Sequence, residues 1–386
     1  MSGDFVFDAA IAGGGIVGAA CALACARRGV SVVLVERDTF GSGATAAGMG
    51  HIVAMDDSEA QFALTRFSQQ LWQELAPQLP ARAEYEQRGT LWIAADHEEM
   101  EAAERKHAWY IARSVPCQLL TASQLAAAEP NLAGGFAGGL LVSEDAVVYS
   151  PAVAAELARR AQELGARLLV GRTVCAIGHG RLVLECGEEL RANRIVLALG
   201  AESLQLCPGL PIRKRKGHLV ITDRYPGFVN HQLVELGYLK SAHSSTGDSV
   251  AFNVQPRQTG QLLIGSSRQF GAEHAEVDPH ILSAMLVRAA HFLPALANLS
   301  AIRVWTGFRA ATPDKLPLIG PDPGDPSLLL ATGHEGLGIT TSLATAELIA
   351  DFITNQSSAI APEPYLPARY AQATTTDSKT QSRGLA

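Results

Sequence analysis

The sequence predicts an α/β fold: one mostly parallel sheet assembled from three separated stretches of chain, with a second, sheet-rich domain inserted between them. Three observations carry this. The chain opens on a strand–helix–strand unit, short apolar strands return near its middle and its end, and a β-rich run lies between those returns. Two domains laid end to end do not fit this spacing.

Phe7–Ala12 is a short apolar strand, Ile16–Arg28 an alanine-rich helix, and Val30–Glu36 a β-branched strand. Helical patterns run from Ser58 to Leu79 and from Glu98 to Arg113. Gly138–Val148 reads as strand, and Pro151–Leu164 as an amphipathic helix closed by Gly165. Arg167–Val170 and Arg194–Leu199 read as strands returning to the first sheet. From Pro211 to Ser267 the pattern is β-rich, with turns at Tyr225-Pro226-Gly227 and Gln258-Thr259-Gly260. Helix Pro279–Phe292, strand Leu328–Ala331, a glycine loop and helix Ser342–Phe352 follow, and the polar tail 371–386 is expected to be disordered.

The 386 residues, 47% hydrophobic and 18% charged, suffice for two or three domains' worth of core. A net charge of −7 argues against nucleic acid as the main partner. The one basic cluster, Arg213-Lys214-Arg215-Lys216, reads as a strand with a solvated face. Six cysteines (Cys21, Cys25, Cys117, Cys175, Cys186, Cys207) are scattered without a CxxC or a metal-ligand histidine spacing. They read as reduced core residues of a cytoplasmic protein, with no metal site. Glycines at 13, 14, 15 and 18 interrupt the apolar run Ala9–Ala26, so it is a strand and helix, not a transmembrane segment or a signal peptide.

Gly13-Gly14-Gly15-Ile16-Val17-Gly18 forms GxGxxG at a strand-to-helix turn. Gly13 allows the tight turn, Gly15 lets backbone approach a pyrophosphate, and Gly18 lets helix pack on strand. The helix N-terminus offers N–H groups and partial positive charge to phosphates. Glu36 closes the second strand 23 residues after Gly13, where its carboxylate can accept from ribose hydroxyls. Dinucleotide binding follows. Arg37 comes next, then Gly41-Ser42-Gly43-Ala44-Thr45-Ala46-Ala47-Gly48-Met49-Gly50-His51, small and hydroxyl residues that let main chain lie against a flat ring. A nicotinamide dehydrogenase would continue here with another strand–helix repeat.

That loop resembles the flavin-proximal loop of the D-amino acid oxidase and glycine oxidase family. The C-terminal match is longer. Gly307-Phe308-Arg309, Thr312-Pro313-Asp314 through Ile319-Gly320-Pro321, and Gly333-His334-Glu335-Gly336-Leu337-Gly338-Ile339-Thr340 resemble the family's G-x-R, T-P-D-x-x-P-x-I-G-P and G-H-x-x-x-G block. The resemblance spans the chain except its tail. It implies a glutathione-reductase-like (Rossmann-type) FAD domain at 1–50, 140–210 and 305–365, interleaved with an antiparallel-sheet α+β substrate domain at 51–139 and 211–304. The cofactor implied is FAD, and non-covalent, because no cysteine follows Cys207. The expected cofactor contacts are residues 13–18, Glu36, Arg37, Thr45, Ala46, Ala47, Gly48, Met49, Val174, Gly200, Gly307 and 333–340. A glycine-rich helix start of the last kind stabilises negative charge on a reduced flavin without a salt bridge.

The resemblance implies that Arg309 binds the substrate carboxylate, a task suited to a guanidinium's two parallel hydrogen bonds. His51 either faces the flavin on the catalytic side or is positional, and His334 either donates to it or is positional. Asn253 stands near where some relatives carry a substrate-side tyrosine. The reaction implied is oxidation of an amino or imino acid, cyclic or D (cis-4-hydroxy-D-proline is one), by hydride transfer from the α-carbon to flavin N5, giving an imine. Gly333–Thr341, together with Phe252–Arg257 and Leu263–Ser266, resembles the β subunits of multi-subunit dehydrogenases such as D-hydroxyproline dehydrogenase. Electrons would then pass to partner subunits, one of them carrying the iron–sulfur cluster this chain has no cysteine set for. A stand-alone oxidase making hydrogen peroxide and a non-catalytic flavin-binding subunit are the alternatives.

Overall fold

The structure, a computed structural model, describes residues 6–237 and 247–371. The first sheet has the order β17 (Leu318–Pro321), β18 (Leu328–Thr332), β11 (Glu189–Leu197), β1 (Val6–Ala12), β2 (Val32–Glu36), β8 (Arg167–Val170). From β18 to β8 the strands are parallel, and β17 is antiparallel to β18. β1, β2 and β18 are nearly continuous apolar runs because both faces of the sheet are covered there, one by helices and the other by a hairpin and segments that pack with Leu182 and Leu184. Helix Ile16–Arg27 packs between helices Ser150–Glu163 and Ser342–Thr354, and its alanines allow the close approach. Arg28 ties the first segment to the last, with ion pairs of 2.7 Å to both Glu347 and Asp351. A hairpin, β9 (Val174–Gly178) and β10 (Arg181–Leu184), joins the start of β11 and has no counterpart in the sequence reading.

The second sheet has the order β16 (Ala301–Ala311), β12 (Arg213–Arg224), β15 (Gln261–Phe270), β14 (Ser249–Pro256), β13 (Gln232–Glu235), β4 (Thr90–Ala94), β6 (Gly138–Val142), β5 (Cys117–Thr121). Helix Pro279–Phe292 covers one face, burying Met285, Ala289 and Phe292 against Phe252, Val254 and Ile264. Phe292 stacks on Phe252 with ring centroids 4.3 Å apart. The other face is turned to the loop that follows β2. A short pair, β3 (His51–Ile52) and β7 (Ala146–Val147), lies where that loop ends.

Several expectations change. The second sheet is mixed rather than antiparallel, because β13 pairs parallel with β4, which arrives from an earlier segment. Gly138–Val148 is two strands, one in the second sheet and one paired with β3. Ala301–Ala311 crosses the boundary expected at residue 305 and lies wholly in the second sheet, and the start expected at 140 falls inside β6. The basic cluster has no solvated face at Arg215 or Lys216. Alternation along β12 sends these two side chains to opposite faces of the sheet, and both are buried there, 6% and 0% exposed. Lys216 there sets Nζ 3.5 Å from His274 Nδ1. Of the cysteines, all free, only Cys21 and Cys25 are buried, and Cys175 and Cys186 are exposed on the β9–β10 hairpin and the turn after it. Apart from Ala371, the tail 371–386 lies outside the described residues. Among the described residues no helix is long and apolar enough to cross a membrane.

Candidate functional site

The glycine loop has the geometry its residue types demand. Gly13 sits at φ +105, and a Cβ on Gly18 would lie 1.9 Å from Gly13 O, so helix and strand approach only through glycine. Gly15 is the N-cap of helix Ile16–Arg27, with no side-chain capping bond of its own. Thr45 Oγ1 accepts from Ile16 N at 3.0 Å and fastens the following loop across the helix start. Glu36 is buried, its Oε2 accepting from Gly14 N at 2.7 Å and its Oε1 from Asp38 N at 2.8 Å. Arg37 is exposed and pairs with Asp38 at 3.1 Å. Val174 packs at the edge of the first sheet's core, and Gly200, at φ +56, accepts from Thr332 Oγ1 at 3.0 Å.

The loop 45–50 then crosses to the second sheet. A Cβ on Gly307 would come within 2.3 Å of Ala47 Cβ, one on Gly265 within 3.0 Å of Met49 Sδ, and one on Gly48 within 2.8 Å of Ile339 Cδ1. Glycines therefore let this loop, β16, β15 and the C-terminal glycine loop meet at van der Waals distance. Thr340 Oγ1 donates to His51 O at 2.8 Å, and Trp72 Nε1 donates to Thr340 O at 3.0 Å. Ala46, exposed, is at the crest of the loop.

Paired residues in a sheet share a face, so Arg309, Gly307 and Trp305 of β16 point with Arg215, Gly217 and Leu219 of β12. Gly265 abuts Leu219 on that face, and Asn253 is its partner in β14. The expected substrate-side residues are thus brought together under the loop. The Arg309 guanidinium lies flat over Gly217: a Cβ there would be 2.6 Å from Nη1, 2.9 Å from Nη2 and 3.0 Å from Cζ. Nη1 donates to Ser267 O at 3.0 Å. Gln255 Nε2 donates to Met49 O at 2.5 Å and holds the loop on the sheet.

Both histidines are neutral at physiological pH. Burial pushes His51 down to about 4, and does the same to His334. His334 Nε2 lies 3.0 Å from Thr345 Oγ1 of helix Ser342–Thr354. Glu335 adopts φ 49, donates its N–H to Ala310 O at 2.9 Å and ion-pairs Arg215 through its carboxylate. Gly336 faces the Arg309 side chain, and Leu337 closes the turn by donating to His334 O at 3.0 Å. Gly338 packs on the His334 ring, and in the first turn of helix Ser342–Thr354 Ala344 N donates to Ser68 Oγ at 3.3 Å.

FAD fits this frame. Two helix starts, a buried carboxylate at the end of β2 and a loop of small residues lie at the carboxyl ends of the parallel strands β1, β2 and β18. Asn253 Oδ1, on the second-sheet face turned to the loop, is buried with no hydrogen-bond partner among the described residues, as expected of a group that meets a polar ligand. Sequence reasoning missed Gly217, Gln255 and Trp72. Gly217 follows the charged run treated as surface, and Trp72 sits on a helix read only for its periodicity.

Comparison with known proteins agrees with this geometry. The DAO family, FAD-dependent oxidoreductases, matches residues 8–352. Glycine oxidase of Geobacillus kaustophilus is 28% identical over 94% of this chain and 97% of its own. A hydrogen cyanide synthase subunit of Pseudomonas aeruginosa is 26% identical, covering 94% of this chain and 96% of its own. The crystal structure of the Geobacillus glycine oxidase superposes with TM-score 0.84 at 29% identity, over 94% of this chain and 98% of that one. L-proline dehydrogenase of P. horikoshii shares the fold, with TM-score 0.85 at 24% identity, over 95% of this chain and 98% of that one.

Proposed function

We propose, from the premise that the chain belongs to the DAO family of FAD-dependent oxidoreductases, that it oxidises an amino or imino acid at the carbon bearing both nitrogen and carboxylate, giving an imine. The observation that carries this is Arg309, held flat over Gly217 on the face that also gathers the loop 45–50, Asn253 and the C-terminal glycine loop. A planar, permanently charged fork at that place suits a carboxylate and orients the carbon next to it. FAD, held without a covalent bond by residues 13–18, Glu36, the loop 45–50 and residues 333–340, supplies a two-electron acceptor when bound.

The chain's own residues do the rest. Arg309 binds and orients the substrate. Asn253 offers a polar atom to the amine end, and Gln255 holds the loop in place. The neutral His51 adds no charge to the chamber. No side chain is required as general base once the amine enters neutral. Substrates are small, and cyclic or D-configured acids such as cis-4-hydroxy-D-proline are the finer expectation, drawn from the resemblance of the C-terminal loop to dehydrogenase β subunits. Electrons pass to a partner subunit, a reading supported by similarity to a protein that is itself a subunit of hydrogen cyanide synthase. The similarity to glycine oxidases favours a second reading, a stand-alone oxidase passing electrons to oxygen. Anaerobic mixing of the FAD-loaded protein with glycine, sarcosine, D- and L-amino acids, and proline and hydroxyproline isomers tests the reaction class. Bleaching of the flavin absorbance by at least one of them is expected, and a flavin that none reduces would leave only a non-catalytic binding role.

A further inference from the structure

Two side chains of helix Glu59–Leu75 decide where the last helix begins. Ser68 and Trp72 stand one turn apart on the same face of that helix, and both are fully buried. Trp72 Nε1 donates to Thr340 O at 3.0 Å, and Ser68 Oγ accepts from Ala344 N at 3.3 Å. Those two backbone groups are four residues apart, the spacing of an α-helical hydrogen bond. Were they joined to each other, helix Ser342–Thr354 would begin one residue earlier. Instead its first bond runs from Thr345 N to Thr341 O at 2.9 Å, and Thr341 is the N-cap. Thr340 is thereby left to the glycine loop, where its Oγ1 donates to His51 O at 2.8 Å. An indole and a hydroxyl thus take up the acceptor and the donor of one helical bond and hold them apart.

We propose that Trp72 is a positioning residue for FAD: through Thr340 it sets where the last helix starts, and so how the N–H groups of residues 333–340 are aimed at the reduced flavin. The inference rests on the reading that residues 333–340 face the flavin. Trp72 itself is 0% exposed and presents no surface to a ligand, so it acts only through the backbone it holds. Deprived of the indole N–H, Thr340 O is a buried acceptor without its donor, and the N–H at helical spacing from it is that of Ala344. Joining the two winds the end of the glycine loop into the helix and turns its N–H groups out of the alignment that stabilises negative charge.

The midpoint potential of bound FAD, measured by equilibration with a reference dye in the full-length, fully loaded protein, tests this apart from turnover. In Trp72→Phe, which keeps a ring and removes the N–H, reduced FAD should be held on the order of tenfold less tightly relative to oxidised FAD, a fall of about 30 mV. Ser68→Ala releases the other half of the same bond and should lower the potential in the same direction. Tyr365→Phe is the control for weakened packing alone. Tyr365 is also buried, and its hydroxyl donates to Ala60 O of the same helix at 2.6 Å, so that variant melts earlier but keeps the wild-type potential. A wild-type or higher potential in loaded Trp72→Phe overturns the proposal, and so does an equal fall in Tyr365→Phe. If Trp72→Phe does not fold, Ser68→Ala decides, and an unchanged potential there overturns the proposal equally. Leu337→Asp, measured alongside, places a negative charge in the glycine loop itself and separates the two claims. If it neither lowers the potential nor displaces FAD, the loop does not face the flavin and both claims are overturned together. If it does either while loaded Trp72→Phe keeps the wild-type potential, this proposal alone is overturned.

Discussion

Gly217→Ala is a one-carbon change whose effect follows from the position of Arg309. The new Cβ would lie 2.6 to 3.0 Å from Nη1, Nη2 and Cζ, against the face of the guanidinium, where ordinary contacts begin near 3.4 Å. Gly217 does not need the left-handed backbone, and the atoms it would touch are the far end of a flexible side chain, so the sheet itself is not strained. The guanidinium must instead lift by roughly half an ångström to an ångström, which loosens its 3.0 Å bond to Ser267 O and moves the fork away from the carboxylate. Hydrogen bonds to charged groups contribute about 1.5–3 kcal/mol, so kcat/KM should fall on the order of 10- to 150-fold. Dye-linked steady-state kinetics on the best substrate measures it, with FAD content and circular dichroism checking that the variant is folded and loaded. Wild-type kcat/KM in such a protein would refute the placement of Arg309 over Gly217, or its part in binding.

Three further outcomes are expected. A Cβ at Gly15 would meet only Thr45 Oγ1, at 3.2 Å, so Gly15→Val should fold yet lose most of its FAD by putting a side chain where phosphate approaches backbone, and full occupancy measured by absorbance would remove the phosphate role. If electrons leave through a partner, dichlorophenolindophenol should be reduced much faster than oxygen is consumed, whereas equal rates with stoichiometric peroxide would make the protein an oxidase. Burial raises Asp145, which accepts from Ala54 N at 3.1 Å and Gln69 Nε2 at 2.9 Å, to about 7. The folded state therefore holds a proton that the unfolded chain releases near pH 4. This stabilisation is fully present below that pH and lost as pH rises toward 7, with a slope of at most about 1.4 kcal/mol per pH unit. Melting temperatures of Asp145→Asn should lack this decline, and parallel curves for wild type and variant would contradict it.

What was legible in the sequence was whatever depends on local chemistry. GxGxxG between a strand and a helix, with Glu36 ending the next strand, marks a turn that few other sequences can make, and the structure builds it. The interleaving was readable because the parallel strands recur at intervals too long for one contiguous sheet. Less legible was anything fixed by the strand neighbours. Arg213-Lys214-Arg215-Lys216 looks solvated until both faces of the sheet are known to be covered at Arg215 and Lys216, which are buried. Gly217 looks like any strand glycine until register sets it opposite Gly307 with Arg309 two residues on. The break in Gly138–Val148 is likewise decided by two different partners, β4 and β3, and not by its own residues.

Arg309 is the residue on which carboxylate recognition depends, and a matched pair of substrates probes it. Arg309→Lys keeps a charge but loses the two-point geometry. Rates of anaerobic flavin reduction are measured for wild type and variant with a matched pair of amines, one being the best amino or imino acid substrate and the other the same amine without its carboxylate. The variant should be about 30- to 1000-fold slower than wild type on the acid, differ little on the decarboxylated amine, and retain its FAD. Equal losses on both compounds, or a variant that no longer holds FAD, would contradict this role and make Arg309 a structural residue.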